Sequence, residues 1–211
     1  MKLEQNRRLV TYSSLLTQMR VNGGNDYINL VNSILSGKCN QQACLENYDF
    51  KVMSDFNRFN NLQQKLEDEF TLSRMIAGYA WEWKSKKDKS LYDMELDGVK
   101  KQWNYRLENW VLSEGADKQV GCIHTIQGFD LNYGFVIMGS EIGYDPESKE
   151  IIVRPENYYD QNGRKTALKE ELLEYIKHIY YVLMTRGIKG TYLYICDDNL
   201  RKYVSSIIGE I

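Results

Sequence analysis

The segment VGCIHTIQGFDLNYGFVIMG, residues 120–139, contains two apolar runs separated by a polar stretch. Residues 120–123 and 135–138 predict buried strands, because short continuous apolar runs are typical of strands that are covered on both faces. The residues between them are too polar to be buried without hydrogen-bonding partners. They include His124, Thr125, Gln127, Gly128, Asp130 and Asn132. The segment therefore predicts two core strands and a connection whose polar groups need partners.

Strands and amphipathic helices alternate along the rest of the chain. The predicted strands cover residues 12–16, 50–53, 74–79, 120–123, 135–138 and 191–195, and the predicted helices cover 26–36, 54–70, 167–185 and a last segment that begins at Asp197 or Asp198. Asn25 and Ser54 are the expected caps of the first two helices, and Gly187 is expected to end the third. This alternation predicts an α/β fold with a parallel sheet covered by helices on both faces.

The length of 211 residues predicts one domain. Residues 84–118 have a charged start and short segments of mixed character, which predict an irregular or hairpin insertion. Residues 141–165 read mostly as a loop, with one strand expected at 151–153.

Composition gives no sign of export, of a membrane or of a metal. The net charge is −2, the first ten residues contain no signal peptide, and no apolar run approaches the ~18 residues of a membrane span. Four cysteines without an export signal suggest the reducing cytoplasm. Because Cys39 and Cys44 lack a second pair at ligand spacing, the sequence predicts no metal site.

Three polar segments fall at or beside the ends of predicted strands. Gln18 and Arg20 follow the first strand, residues 124–132 follow the strand at 120–123, and Thr185 and Arg186 close a helix before the last strand. Ligands of parallel α/β sheets bind beyond the carboxyl ends of the strands. Arginines together with amide and hydroxyl groups suit phosphate, so the sequence predicts an anion site at that edge.

Each of these residues also has a purely structural interpretation. Arg186 could complement the dipole of its helix, Gly128 could serve a tight turn, and His124 could be a hydrogen-bonded turn residue. Gln18 and Arg20 could be solvated loop residues. The functional interpretation is favoured only if the segments meet at one edge of the sheet.

Four segments together resemble a helicase family. HTIQGFDLNYGFVIMG resembles motif V of superfamily 1 helicases, YYVLMTRGIKGTYLYIC resembles motif VI, and LLTQMRVNGG resembles motif IV. With AGYAWEWKSK added, the chain is similar over residues 12–205 to a poorly characterised family related to the helicase part of group 3 Schlafen proteins. The resemblance implies a second RecA-like domain, the carboxyl-terminal half of a helicase motor, that lacks a phosphate loop.

The resemblance also implies roles for individual residues. Arg20 and Arg186 would reach the γ-phosphate of ATP. His124 and Thr125 would face the interdomain cleft or the nucleic acid. The residues implied near the nucleotide are Gln18, Gln127, Gly128, Asp130 and Thr185. Two positions depart from the family pattern, because Asp130 stands where Glu is usual and Asn132 where Asp is frequent.

No GxxxxGK[ST] phosphate loop occurs in the sequence, and no apolar strand that ends in an acidic pair of the magnesium-binding type precedes the motif IV segment. By the resemblance, these parts belong to a preceding RecA-like domain, in cis or in trans. ATP and Mg²⁺ are therefore expected only together with that missing domain. This chain alone is expected to hydrolyse no ATP, and it is expected to be either a fragment or the product of a truncated gene.

Aromatic and basic residues are interleaved after the strand at 74–79. Trp81 and Trp83 precede Lys84, Lys86 and Lys87, a combination typical of single-stranded DNA or RNA binding. The alternative is that the tryptophans pack in the core and the lysines lie in a solvated loop. Trp103 and Trp110 are expected to be packing residues.

Two function classes remain open from the sequence. One is the motor domain of a helicase-type ATPase, and the other is a stand-alone, non-catalytic module that binds nucleic acid or a protein. The arginines and the Gln127–Gly128 pair favour the motor, whereas Asp130, Asn132 and the missing phosphate loop favour the module. An independent enzyme acting on small phosphorylated substrates has little support.

Overall fold

A five-stranded parallel sheet forms the centre of the protein. The computed structural model describes residues 20–106, 108–160 and 169–211. The strands are β1 Asp49–Met53, β2 Ser73–Ala77, β3 Met94–Leu96, β4 Val99–Lys101, β5 Val120–Gly121, β6 Leu131–Met138, β7 Ile142–Asp145, β8 Glu150–Val153 and β9 Gly187–Ile195. The helices are α1 Gly24–Leu35, α2 Phe56–Phe70, α3 Lys169–Met184 and α4 Asp198–Ile208. The order in the central sheet is β1-β9-β6-β2-β5, and β3–β4 and β7–β8 form separate hairpins.

Helices cover both faces of this sheet, which confirms the predicted fold class. Helices α1, α3 and α4 pack on one face against side chains such as Val136 and Leu193. Helix α2 packs on the other face, where Phe59 meets Phe135 and Phe56 meets Tyr194. Among the described helices, none is both long and apolar enough to span a membrane.

The helix predictions are correct in place but not always in their caps. Helix α1 begins after Gly23, which caps it without a side-chain hydrogen bond, so the predicted cap Asn25 lies inside the helix. Helix α2 is capped by Asp55 and not by Ser54, since Asp55 Oδ1 accepts from Arg58 N at 3.0 Å. Asp197 caps α4 as predicted, with Leu200 N donating to its Oδ1 at 2.7 Å.

The strand predictions are less accurate at their ends. Strand β5 stops at Gly121, whereas β6 begins at Leu131 and β9 at Gly187, four residues before each predicted start. Both long strands are central, so backbone pairing on two sides extends them through residues that are not apolar. Strand β7 was not predicted. It forms a hairpin with β8, which matches the strand predicted at 151–153. The predicted strand at 12–16 lies outside the described residues.

Residues 84–118 contain the β3–β4 hairpin and three short 3-10 turns. Trp110 holds this segment to the sheet, because its ring lies directly over Gly121, where an added Cβ would come within 2.3 Å of a ring carbon. Arg74 Nη2 also donates to the Val111 carbonyl at 2.9 Å. The segment is therefore fastened to the end of the sheet formed by β2 and β5.

Candidate functional site

Three charged side chains meet where β6 and β9 begin. Leu131, the first residue of β6, is paired with Gly187, the first of β9, and Leu131 N donates to the Arg186 carbonyl at 2.9 Å. Asp130 and Arg186 therefore directly precede the first paired residues of two neighbouring strands. Arg20 joins them from the segment before α1, with Nε 2.7 Å from Asp130 Oδ1.

We call Arg20, Asp130 and Arg186 the amino-edge cluster. Its two positive charges outnumber its one negative charge. Asp130 pairs with Arg20 and acts on Arg186 only as a nearby charge, and the Arg20 and Asp130 side chains are 46% and 44% exposed. Arg186 is half-buried, and burial lowers its pKa, the nearby Arg20 charge lowers it further and Asp130 raises it. Within the described residues, Arg186 Nε is buried and has no hydrogen-bond partner. Such a cluster is suited to binding an anion.

The position of this cluster corrects an expectation from the sequence. Arg186 and Asp130 lie at the amino ends of the strands, not at the carboxyl edge where the sequence placed the anion site. Strands β5 and β6 point in the same direction through their shared neighbour β2, so the chain between them must return toward the start of β6. Gly121 and Val136 both pair with Ile76, so residues 122–130 return past about five residues of β6, roughly 17 Å.

His124 and Thr125 lie at the start of this return, far from Arg186. The His124 ring is 6.1 Å from that of Tyr79, which follows the carboxyl end of β2. Thr125 is 2% exposed, and its hydroxyl accepts from Cys122 N and donates to the Cys122 carbonyl. The Thr125 hydroxyl thus stabilises the turn after β5, and a contact of either residue with nucleic acid stays a prediction.

The other residues implied near the nucleotide have mixed positions. Gln127 and Gly128 are exposed just before Asp130, and Gly128 adopts a φ of +85° that favours glycine in this turn. Thr185 is buried and its hydroxyl donates to the Tyr181 carbonyl at 2.9 Å, which closes α3. Gln18 lies outside the described residues.

Asn132 is explained by a structural contact. Its Nδ2 donates to the Phe70 carbonyl at 2.7 Å and to the Thr71 carbonyl at 3.2 Å. An ionised Asp could not donate to these carbonyls. Asn132 therefore anchors the end of α2, and its departure from the family pattern does not concern the amino-edge cluster.

The lysines after β2 are exposed, whereas the tryptophans are only partly so. Trp81 and Trp83 are half-buried against the α2 side of the core, and Trp103 and Trp110 are buried, as expected for packing residues. Lys86 Nζ lies 4.9 Å from the centre of the Trp83 ring, and Lys89 Nζ lies 4.1 Å from that of Tyr105. Lys84, Lys86, Lys87 and Lys89 are all exposed.

Two acidic side chains of the same segment accept internal hydrogen bonds, and of the two Asp93 is buried while Asp97 stays exposed. Asp93 accepts hydrogen bonds from Ser85 N, Ser85 Oγ and Trp103 N, each at 2.7 Å. Asp97 accepts from Phe56 N at 2.8 Å. The Asp93 carboxylate is therefore shielded from solvent, whereas the exposed lysines of the segment stand beside the exposed acidic residues Asp88 and Glu95. A cleft of about 240 Å³ opens there, lined by Lys84, Tyr92, Asp93, Met94, Glu95 and Lys100.

Sequence analysis missed a buried carboxyl at the opposite edge of the sheet. Glu141 lies in the connection between β6 and β7 and is fully buried. The Tyr180 hydroxyl of α3 donates a hydrogen bond to its Oε1. Burial raises the pKa of Glu141 to about 7, although the Tyr180 hydrogen bond acts in the other direction. A Cβ at Gly139 would come within 2.5 Å of Glu141 Oε2, so glycine is needed beside the carboxyl. Nothing in the sequence distinguishes Glu141 from the exposed acidic residues that follow it.

This carboxyl predicts a specific pH dependence of stability. The pKa of Glu141 is about 7 in the folded protein, and the ordinary pKa of a glutamate is 4.5. Between these two pH values the carboxyl keeps its proton in the folded state and loses it in the unfolded state. Raising the pH from about 4.5 to 7 therefore favours unfolding, by about 3 kcal/mol in total. We expect Glu141→Gln to lack this loss of stability. Urea denaturation at several pH values measures it, and identical profiles for both proteins would contradict it.

Comparisons with known proteins identify relatives of most of the chain. The family model described as Schlafen group 3, DNA/RNA helicase domain, matches residues 2–197. An uncharacterized protein of Saccharomyces cerevisiae, YPL245W, is 34% identical over 168 residues, which cover 75% of this chain and 37% of the yeast protein. The chain thus corresponds to little more than a third of that relative. No solved structure matches the chain.

Proposed function

The chain belongs to the Schlafen group 3 DNA/RNA helicase domain family, and on this basis we propose that it is the second RecA-like domain of a superfamily 1 helicase-type ATPase. The observation that supports the proposal most directly is the amino-edge cluster. It presents two arginines beside one carboxylate, and Arg186 Nε is a buried donor without a partner among the described residues. A terminal phosphate supplies the acceptor oxygens and the negative charge that this arrangement lacks.

In the proposed assembly, a preceding RecA-like domain supplies the phosphate loop and the Mg²⁺ ligands. The amino ends of β6 and β9 face that domain, and ATP binds between the two. Arg20 and Arg186 donate hydrogen bonds to the terminal phosphate oxygens and offset the negative charge of the transition state. An arginine in this role contributes about 10³–10⁵-fold to the rate of phosphoryl transfer.

The test joins this chain to a first RecA-like domain of the same family and measures ATP hydrolysis with and without single-stranded DNA or RNA. We propose that the joined polypeptide hydrolyses ATP and that this chain alone does not. A joined, folded polypeptide without ATP hydrolysis would favour the stand-alone binding module instead. Hydrolysis by the chain alone would contradict the proposed division of labour.

We further propose that the lysine-rich segment after β2 contacts single-stranded nucleic acid. The exposed lysines would bind phosphates, and the half-buried rings of Trp81 and Trp83 would offer stacking surfaces. Lys86 now lies against Trp83, so a base that stacks on this ring would take the place of the ammonium group. The burial of Asp93 supports this proposal, because its carboxylate is held by internal hydrogen bonds and does not compete with phosphates for the exposed lysines.

Replacing Lys84, Lys86 and Lys87 with glutamine is expected to weaken the binding of single-stranded DNA. Because each phosphate contact on a single strand contributes about −0.7 to the slope of log K against log salt, the slope should become smaller in magnitude by about 2. Fluorescence anisotropy of a labelled oligonucleotide at several salt concentrations measures both quantities.

A matched control changes three exposed lysines elsewhere to glutamine, which gives the same change of net charge: Lys38, Lys149 and Lys202. We expect the control to bind nearly as well as the unmodified chain. An equal loss in both triple variants would show that only net charge matters and would contradict the proposed surface.

A further inference from the structure

We propose that Asp130 is an internal counter-anion, which holds Arg20 beside Arg186 until the terminal phosphate of a nucleotide takes its place. The inference rests on the proposed function, since it assigns a second role to the same cluster. It makes Asp130 a positioning residue that competes with the terminal phosphate for Arg20.

The contact between Asp130 and Arg20 is close but accessible. Arg20 Nε lies 2.7 Å from Asp130 Oδ1, and both side chains are nearly half exposed to solvent. Exposed ion pairs of this kind contribute little to stability, so a stronger anion can exchange with the carboxylate at small cost. The contact therefore positions Arg20 without fixing it permanently.

The nearness of the Arg186 and Arg20 charges explains why a counter-anion is useful at this place. The positive charge of Arg20 lowers the pKa of Arg186, and the negative charge of Asp130 raises it. The carboxylate thus offsets the repulsion between two guanidinium groups. A single carboxylate leaves the cluster with a net positive charge, whereas a terminal phosphate carries more negative charge and more acceptor oxygens.

The backbone prevents Asp130 from following the arginine. Asp130 directly precedes Leu131, whose N–H donates to the Arg186 carbonyl in the first contact between β6 and β9. Since the aspartate side chain is short, its carboxylate can reach only groups close to this point. Arg20 has a long side chain and can turn toward a phosphate while Asp130 stays in place.

Binding of tripolyphosphate to this chain tests the inference without any ATP hydrolysis. Asp130→Asn keeps the size of the side chain and removes the competing charge, so we expect it to bind tripolyphosphate about five- to tenfold more tightly in isothermal titration calorimetry at low salt. Adding Arg20→Ala to Asp130→Asn should abolish the gain, because the gain depends on the released arginine.

The matched control is Asp198→Asn, which breaks another exposed ion pair, with Arg201 at 2.8 Å, and changes the net charge equally. Tighter binding by Asp130→Asn and not by Asp198→Asn would support the inference. Equal gains in both variants, weaker binding by Asp130→Asn, or no binding by any variant would overturn it. If the gain is observed but the joined polypeptide hydrolyses no ATP, the counter-anion stands and the motor function fails.

Discussion

Replacing Arg186 with alanine is expected to lower ATP hydrolysis by the joined two-domain polypeptide about 10³–10⁵-fold. Arg186 directly precedes β9, and its Nε is a buried donor that finds no acceptor within the part of the chain that the structure describes. In the proposed assembly, this guanidinium offsets charge that develops on the transferred phosphoryl group. The measurement is kcat at saturating ATP and single-stranded nucleic acid.

Two further variants separate this role from a loss of folding. Arg186→Lys keeps the charge but loses the planar fork of donors, and we expect an intermediate kcat. Arg201→Ala removes an arginine that pairs with Asp198 on α4, and it should leave kcat within about threefold of the unmodified protein, an allowance of about 0.7 kcal/mol. If Arg186→Ala retained most of the activity, Arg186 would only complement its helix.

Phe59→Ala is expected to lower the free energy of unfolding by about 3–5 kcal/mol. Phe59 on α2 is fully buried, and its ring centre lies 5.0 Å from that of Phe135 in β6 and 6.0 Å from that of Tyr194 in β9. Truncation removes these contacts and leaves a cavity between the helix and the two central strands. Urea denaturation at constant pH measures the change.

Phe70→Ala is a suitable comparison because Phe70 ends the same helix but is only half-buried. Its ring meets Tyr133 and the Lys189 ammonium group at the margin of the core. We expect a loss less than half as large as for Phe59→Ala. Equal losses would mean that the cavity beneath α2 collapses and that burial depth does not decide the cost.

Regular patterns made much of the fold predictable. In α1, Tyr27, Leu30, Val31, Ile34 and Leu35 recur at helical spacing, and all five are buried. Such a pattern is local, because one face of a helix must be apolar wherever the helix packs. The ends of elements were less predictable: β6 continues through Asn132, which lies at a register shift, and through Gly134, which pairs with Arg74 and Thr191 although it is not apolar.

The chemistry of the site was only partly predictable. Arg20, Asp130 and Arg186 could be selected from residue type and family resemblance, and the structure brings them together. Their edge of the sheet was predicted wrongly, because periodicity does not tell where a connection between parallel strands ends. Glu141 was missed for a related reason, since burial behind β6 depends on Tyr180 of α3, 39 residues away in the chain.

By itself, the sequence determined the alternation of strands and helices, the family and the candidate charged residues, because these depend on local periodicity and residue identity. Only the tertiary structure decided that Asp130 and Arg186 flank the first contact of β6 and β9 and that Arg20 reaches them. It also decided that the Thr125 hydroxyl and Asn132 serve the backbone. The physical reason is that hydrogen bonds and ion pairs need distances of about 3 Å, which strand order and register set between distant parts of the chain.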